Sequence, residues 1–268
     1  MKSLLRKLGV YERLKASWLY DVYWTIFDSS HVRQRRAEEA FYRSLLGDLR
    51  QCDVVFDIGA NIGAKTLAFV GLGATVVAIE PDEENQQVLD RMFLKNRFRP
   101  KPVLIVGSAV GAQEGEMTMF IDHAGSAKNT LSSKWVEVLR KDDRRFGSRL
   151  DFREQRTVAV TTLEALIRRF GKPVFVKIDV EGYELDVLQG LEQPVPLLSF
   201  EVNLPEFRHE GLLCAQRLAQ LSKQGLFNYV VDCKKGLELA EWLPYEFFQA
   251  VLQQCTDRSI DVLWRSAA

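Results

Sequence analysis

The segment VVFDIGANIGAKT, residues 54–66, reads as a buried strand followed by a glycine-bearing loop and the start of a helix. What that loop can hold decides the fold. Its last residues, Gly63, Ala64, Lys65 and Thr66, resemble the end of a P-loop, but a P-loop needs glycine immediately before its Lys-Thr pair, and Ala64 stands there. Asp57 would also repel phosphates from the strand end. A dinucleotide site fits better in one respect, because Glu80 follows Gly59 by 21 positions, where an acid bonds a ribose hydroxyl. The second glycine of that fingerprint lets the backbone approach a pyrophosphate, however, and Asn61 fills its place with a side chain.

A nucleoside cofactor without phosphate removes both conflicts. S-adenosylmethionine carries a ribose, an adenine, an ammonium group and a sulfonium, so a carboxylate at Asp57 becomes favourable. The candidate cofactor contacts are Asp57, Gly59, Ala60, Asn61 and Gly63 around the loop, then Glu80, Pro81 and Asp82, then Ser108 and Ala109, and finally Asp179. Gly59 and Gly63 leave room for the amino-acid tail, Glu80 can accept both ribose hydroxyls, and Ser108 and Ala109 lie where the adenine would be. These positions belong to strand carboxyl ends, the edge at which open α/β sheets bind ligands.

Outward from the loop, strands and helices alternate. AKTLAFVGLG reads as a helix closed by glycine, ATVVAIEP as a strand, residues 82–96 as a helix opened by acids, and PVLIVGSAVG as a third strand. GEMTMFID alternates as an antiparallel excursion would, and the polar residues 122–157 read as a substrate-loop insertion. Within them RKDDRR, residues 140–145, reads as a solvated helix surface or as a phosphate holder. The alternation resumes through TLEALIRRFG, PVFVKIDVEG, YELDVLQGLE and PLLSFEVN, then a helix at 211–224 and two late strands, FNYVVDC and SIDVLWR, with no helix read between them. This pattern predicts a mainly parallel sheet with helices on both faces over residues 51–268. Residues 1–50 read as an N-terminal helical cap, with Phe41, Leu45 and Leu49 at four-residue spacing and Glu39 placed to pair with Arg43. The aromatics Trp18, Tyr20, Tyr23, Trp24 and Phe27 in that cap suit packing onto the core, or a substrate surface.

Composition narrows the classes. In 268 residues, 36 basic side chains balance 36 acidic ones, so nothing advertises a nucleic-acid partner. Cys52, Cys214, Cys233 and Cys255 show no CxxC spacing, and His31, His123 and His209 are scattered, which argues against zinc. The first residues break their apolar positions with charges, unlike a signal peptide, and the longest apolar stretch, 67–79, is too short for a bilayer. A cytoplasmic protein with reduced thiols and no transmembrane segment is expected.

FDIGANIGAKTLAF, AIEPDEEN, GSAVGAQEGEMTMF, VKIDVEGYELDVLQG and LLSFEV, in that order and spacing, resemble the motifs of the FkbM family of S-adenosylmethionine-dependent methyltransferases over residues 53–203. The resemblance implies a class I methyltransferase, Rossmann-like fold: an α/β domain on a seven-stranded sheet whose last strand is antiparallel, a role that FNYVVDC and SIDVLWR can fill. It also implies O-methylation of a hydroxyl, commonly on a sugar, glycan or secondary metabolite.

Methyl transfer to a hydroxyl needs alignment and a base. KIDVEGYE sets Lys177, Asp179 and Glu181 at alternate positions of a strand end, Asp179 nearest the cofactor's amino group and Lys177 placed to hold a carboxylate or acceptor oxygen. Glu181 or Glu184 could instead cap the next helix. Glu201, at the end of the neighbouring strand, could share a proton with Asp179, or with Asn203 the two could ligate magnesium, which is not favoured. His209 and His123 are further base candidates. The rival readings are an NAD-dependent oxidoreductase, a non-catalytic cofactor-binding protein of the same fold, and an RNA methyltransferase.

Overall fold

The computed structural model describes residues 29–94, 102–141 and 150–267. Helix α1 (Ser29–Leu46) leads into β1 (Val54–Ile58), α2 (Ala64–Gly71), β2 (Thr75–Ile79), α3 (Glu83–Leu89) with a π turn at Asp90–Leu94, and β3 (Val103–Val106). Next come β4 (Ala109–Val110), β5 (Gly115–Ile121), α4 (Ser133–Lys141) and β6 (Glu154–Thr161). The chain continues through α5 (Leu163–Phe170), β7 (Phe175–Ile178), α6 (Glu184–Gln189), β8 (Leu197–Asn203), α7 (Arg208–Leu221), β9 (Leu226–Val230), β10 (Leu243–Pro244), α8 (Tyr245–Gln254) and β11 (Ser259–Arg265).

The central sheet runs β10-β9-β11-β8-β7-β1-β2-β3. Strands β8, β7, β1, β2 and β3 pair in parallel, and β11 is antiparallel to both of its neighbours. These are the seven expected strands, with the two-residue β10 added at one edge. Strands such as VVFDI and TVVAI are apolar on both faces because helices cover both. On one face Val55, Val76 and Phe175 meet Phe41 and Tyr42 of α1 and Phe69 of α2. On the other, Phe56, Val77, Val176 and Phe200 meet Trp135, Leu163, Val187, Phe207, Leu218 and Phe248.

Several boundaries differ from the sequence expectation for local reasons. The expected third strand breaks at Gly107 and Ser108: β3 stays in the main sheet, whereas β4 joins a side sheet of order β4-β6-β5. β5 and β6 pair antiparallel, as the alternation of GEMTMFID predicts. Helix α8 fills the interval in which no helix was read, burying Phe248 and Leu252 and stacking Phe248 on Phe227 at 5.2 Å between ring centroids. Pro244, immediately before its first turn, is the legible start signal.

The interval 122–157 divides into an irregular strap over 122–132, then α4, then the start of β6. Arg140 and Lys141 of RKDDRR belong to α4, and residues 142–145 lie outside the described residues. So do the cap aromatics Trp18, Tyr20, Tyr23, Trp24 and Phe27. Arg43 of α1 pairs with Asp48. No described helix is long and apolar enough to cross a membrane.

Candidate active site

The loop after β1 is fixed by its backbone. The N–H groups of Gly59 and Ala60 both donate to Ile79 O at 3.0 Å, tying the loop to the end of β2. Gly59 has φ +78°, and a Cβ there would stand 1.9 Å from Asp179 O, so only glycine fits between the two strand ends. Asn61 takes φ 49°, a left-handed conformation that asparagine tolerates, and its Oδ1 accepts from Ile62 N at 2.6 Å. The Asn61 N–H in turn donates to Glu80 Oε2 at 2.7 Å, and Asp82 N donates to Glu80 Oε1 at 2.8 Å. Burial pushes the Glu80 carboxyl up to about 7 against the pull of those two bonds.

A cleft of about 540 Å³, open to solvent, lies over these strand ends, and Gly59, Asn61, Glu80, Pro81, Ser108, Ala109 and Asp179 line it. Within it Ser108 Oγ is buried and has no hydrogen-bond partner among the described residues. A nucleoside fits this donor set: a carboxylate for a diol, an orphan hydroxyl where a base would lie, and no backbone cradle for phosphate.

The other expected cofactor contacts stand behind the cleft. Asp57 is 1% exposed and accepts from Thr66 Oγ1 at 2.6 Å, beneath the first turn of α2; burial raises its carboxyl, and Lys177 and Thr66 work against that. Ala60 packs with Ala78, Leu89 and Phe93. Gly63 makes room for Leu89 and Phe93, 2.7 Å from where its Cβ would be, rather than opening onto the cleft. Asp82 caps α3 through Glu84 N (2.9 Å) and Asn85 N (3.3 Å).

The strap 122–132 forms one wall of the cleft. Asn129 Nδ2 donates to Asp82 Oδ2 at 2.8 Å, Lys128 Nζ donates to Glu181 Oε1 at 2.6 Å, and Thr130 Oγ1 donates to Glu181 O at 2.7 Å. One short segment therefore grips both the nucleoside side and the acid side.

On the acid side, carboxylate oxygens of Asp179, Glu181 and Glu201 lie within 4.8 Å of one another. Lys177 is 2% exposed and donates to Asp179 Oδ2 at 2.7 Å. Burial alone would lower the Lys177 ammonium, but Asp179, Asp261 and Asp57 around it hold it well above an ordinary lysine. Burial likewise works to raise Asp179, and Lys177 overrides it, leaving that carboxyl below the usual range. Glu201 goes the other way: burial, then the charges of Asp179, Glu181 and Asp261, push it well up. Its oxygens accept from Asn203 Nδ2 at 2.9 Å and Ser259 Oγ at 2.8 Å. Glu181 has φ 55° and is held by Lys128 and by Trp135 Nε1 at 2.9 Å, while burial raises its carboxyl. Neither acid caps the next helix, whose N-cap position is Tyr183; Glu184 Oε1 instead ties the preceding loop, accepting from Val180 N (3.1 Å) and Gly182 N (3.2 Å).

A divalent cation would have to displace the ammonium groups of Lys177 and Lys128 from Asp179 and Glu181, so the Asp179, Glu201 and Asn203 set is a poor fit for magnesium. His209 is exposed in the first turn of α7, and His123 is exposed and paired with Asp122 at 2.7 Å.

A family model for the methyltransferase FkbM domain matches residues 57–225, which include the end of β1, the glycine loop, Glu80, the strap and the acid group. The chain belongs to the FkbM methyltransferase family. The hexuronic acid methyltransferase AglP of Haloferax volcanii is 26% identical over 175 residues, covering 64% of this chain and 63% of that protein's length. Among solved structures, a precorrin-6y C5,15-methyltransferase from Geobacter metallireducens aligns over 87% of each chain at 9% identity and a TM-score of 0.41. A TehB-like SAM-dependent methyltransferase from Corynebacterium glutamicum aligns over 86% of this chain and 88% of its own, at 8% identity and a TM-score of 0.42.

In this FkbM-family domain the structure adds residues that the sequence reading missed. Lys128, Asn129 and Thr130 come from a strap without periodicity, Trp135 from α4, and Ser259 and Asp261 from β11. The only signal for the last two was a polar residue at alternate positions of SIDVLWR, which puts both on the face that carries Glu201.

Proposed function

We propose that the chain transfers the methyl group of S-adenosylmethionine to a hydroxyl of a sugar, glycan or secondary metabolite. The observation that carries this reading is the cleft in which Glu80 and the unpartnered Ser108 hydroxyl face a loop whose second glycine is replaced by Asn61. The relative that acts on a hexuronic acid supports a saccharide acceptor.

The bound cofactor would supply an electrophilic methyl on a sulfonium for in-line displacement. Glu80, once ionised, keeps acceptor capacity for the ribose diol beyond the bonds from Asn61 N, Asp82 N and the Asn85 side chain. Ser108 offers its hydroxyl to the adenine edge. Asp179, kept ionised by Lys177, faces the ammonium group, and Lys177 acts as a positioning residue because its own nitrogen is buried. Glu201, oriented by Asn203 and Ser259, takes the proton of the acceptor hydroxyl. Two neighbouring carboxyls pushed in opposite directions suit such a division of roles.

The rival that a specific observation addresses is NAD-dependent oxidoreduction: Glu80 permits it, and the side chain of Asn61 opposes a pyrophosphate. Calorimetry with S-adenosylmethionine, S-adenosylhomocysteine, NAD and ATP separates the two. Micromolar binding of the first two, lost in Glu80→Ala, is the expected result; binding of NAD or ATP alone would sink the proposal.

A further inference from the structure

Antiparallel pairing sets Asp261 of β11 directly opposite Glu201 of β8, so both carboxyls leave the same face of the sheet. Lys177 and Asp179 lie on that face one strand further along, on β7 and just beyond its end. Over it stand Glu38 and Tyr42 of α1, Lys65 of α2 and Cys233 after β9, all of which act on Asp261 or on its neighbours through charge or burial. Asp261, Glu201 and Asp179 are each half-buried on this face, and Asp179 also lines the nucleoside cleft.

Two polar groups on this sheet face have no hydrogen-bond partner among the described residues. The Asp261 carboxylate has no hydrogen-bond partner among the described residues. Ser199 Oγ, 2% exposed and two residues before Glu201 on the same strand face, is buried without a partner among the described residues. Meanwhile both ammonium groups at the rim are engaged: Lys65 with Glu38 at 2.9 Å, and Lys128 with Glu181 at 2.6 Å. A face with a spare half-buried carboxylate and occupied cations is complementary to hydroxyl donors and repels a carboxylate.

We propose that Asp261 is an acceptor-binding residue that takes two hydroxyls of a neutral polyhydroxylated ring while a third hydroxyl lies at Glu201. This deepens the methyl-transfer reading and rests on it. Asp261 selects an uncharged ring over one that carries a carboxylate, and its place opposite Glu201 sets which hydroxyl faces the methyl group.

The test uses the full chain saturated with S-adenosylhomocysteine, and p-nitrophenyl glycosides as probes: the glucoside, galactoside and mannoside against the glucuronide and galacturonide. Binding is followed by saturation-transfer NMR and calorimetry. At least one neutral glycoside is expected to bind tenfold or more tightly than either uronide. Asp261→Asn should weaken the neutral glycoside about tenfold, and Asp261→Ala more, as loss of a hydrogen bond to a charged group predicts. S-adenosylhomocysteine should bind both variants within twofold of the parent, which also reports that they fold. Uronides bound as well as or better than neutral glycosides would overturn the proposal, as would unchanged affinity in Asp261→Ala or no glycoside binding. Failure of S-adenosylhomocysteine itself to bind would overturn the methyltransferase reading instead.

Discussion

At the scale of single residues, two buried carboxyls give the protein opposite dependences on pH for binding and for stability. Glu80 is raised to about 7 by burial, and only its ionised form can accept both ribose hydroxyls. Affinity for S-adenosylmethionine is expected to rise between pH 6 and 8 by about tenfold, the limit for one proton over that span near its midpoint. Calorimetry at fixed ionic strength reads it, and Glu80→Gln should bind weakly with no pH trend. Glu184 is raised to about 8 by burial, from an ordinary 4.5. The folded state therefore holds this proton more tightly than the unfolded chain does. Its contribution is fully present below pH 4.5 and is lost as pH climbs through about 8. Glutamine can keep both backbone bonds through Oε1, so Glu184→Gln should match the parent near pH 5 and exceed it at pH 9, by on the order of a few kcal/mol in denaturant titrations. A variant that loses stability equally at both pH values would contradict the assignment.

Among elements, the strap 122–132 carries the interactions that join the two halves of the site. Asn129 donates to Asp82 and to His123 O, and its Oδ1 accepts from Asp122 N. Asn129→Ala removes all three, a local cost of about 1–3 kcal/mol. Hydrogen exchange is expected to quicken across the strap and to stay unchanged in β1 and β2, with cofactor affinity reduced several-fold; protection retained in the strap would show that Asn129 does not hold it. None of this is readable from the polar run that spells the strap, because its partners, Asp82 and Glu181, are brought to it by folding. Helix α8 escaped a sequence reading for a different reason. Its aromatic residues are as much at home in strands as in helices, and the fold decides by packing Phe248 on Phe227.

For the molecule as a whole, the parallel half was legible because its central strands β1, β2 and β7 are buried on both faces and carry, at or just beyond their ends, a polar residue that nothing in a core would explain. Asp57, Glu80 and Asp179 all announce themselves in this way, although the structure sets Asp57 behind the cleft rather than in it. The antiparallel end was legible only as strands. Which of its side chains share a face with Glu201 depends on register, and register follows from pairing between segments about sixty positions apart, Asp261 with Glu201. The same pairing bears on how the protein is made. β11 lies between β8 and β9, yet both precede it in the chain. A growing chain can assemble β1, β2, β3, β7 and β8 as they emerge, and then must wait with the outer edge of β8 bare and β9 without a long neighbour. The outer edge of β8 is therefore the last long edge of the main sheet to be covered during synthesis, and a bare edge of that kind is where misassociation begins and what a chaperone would shield.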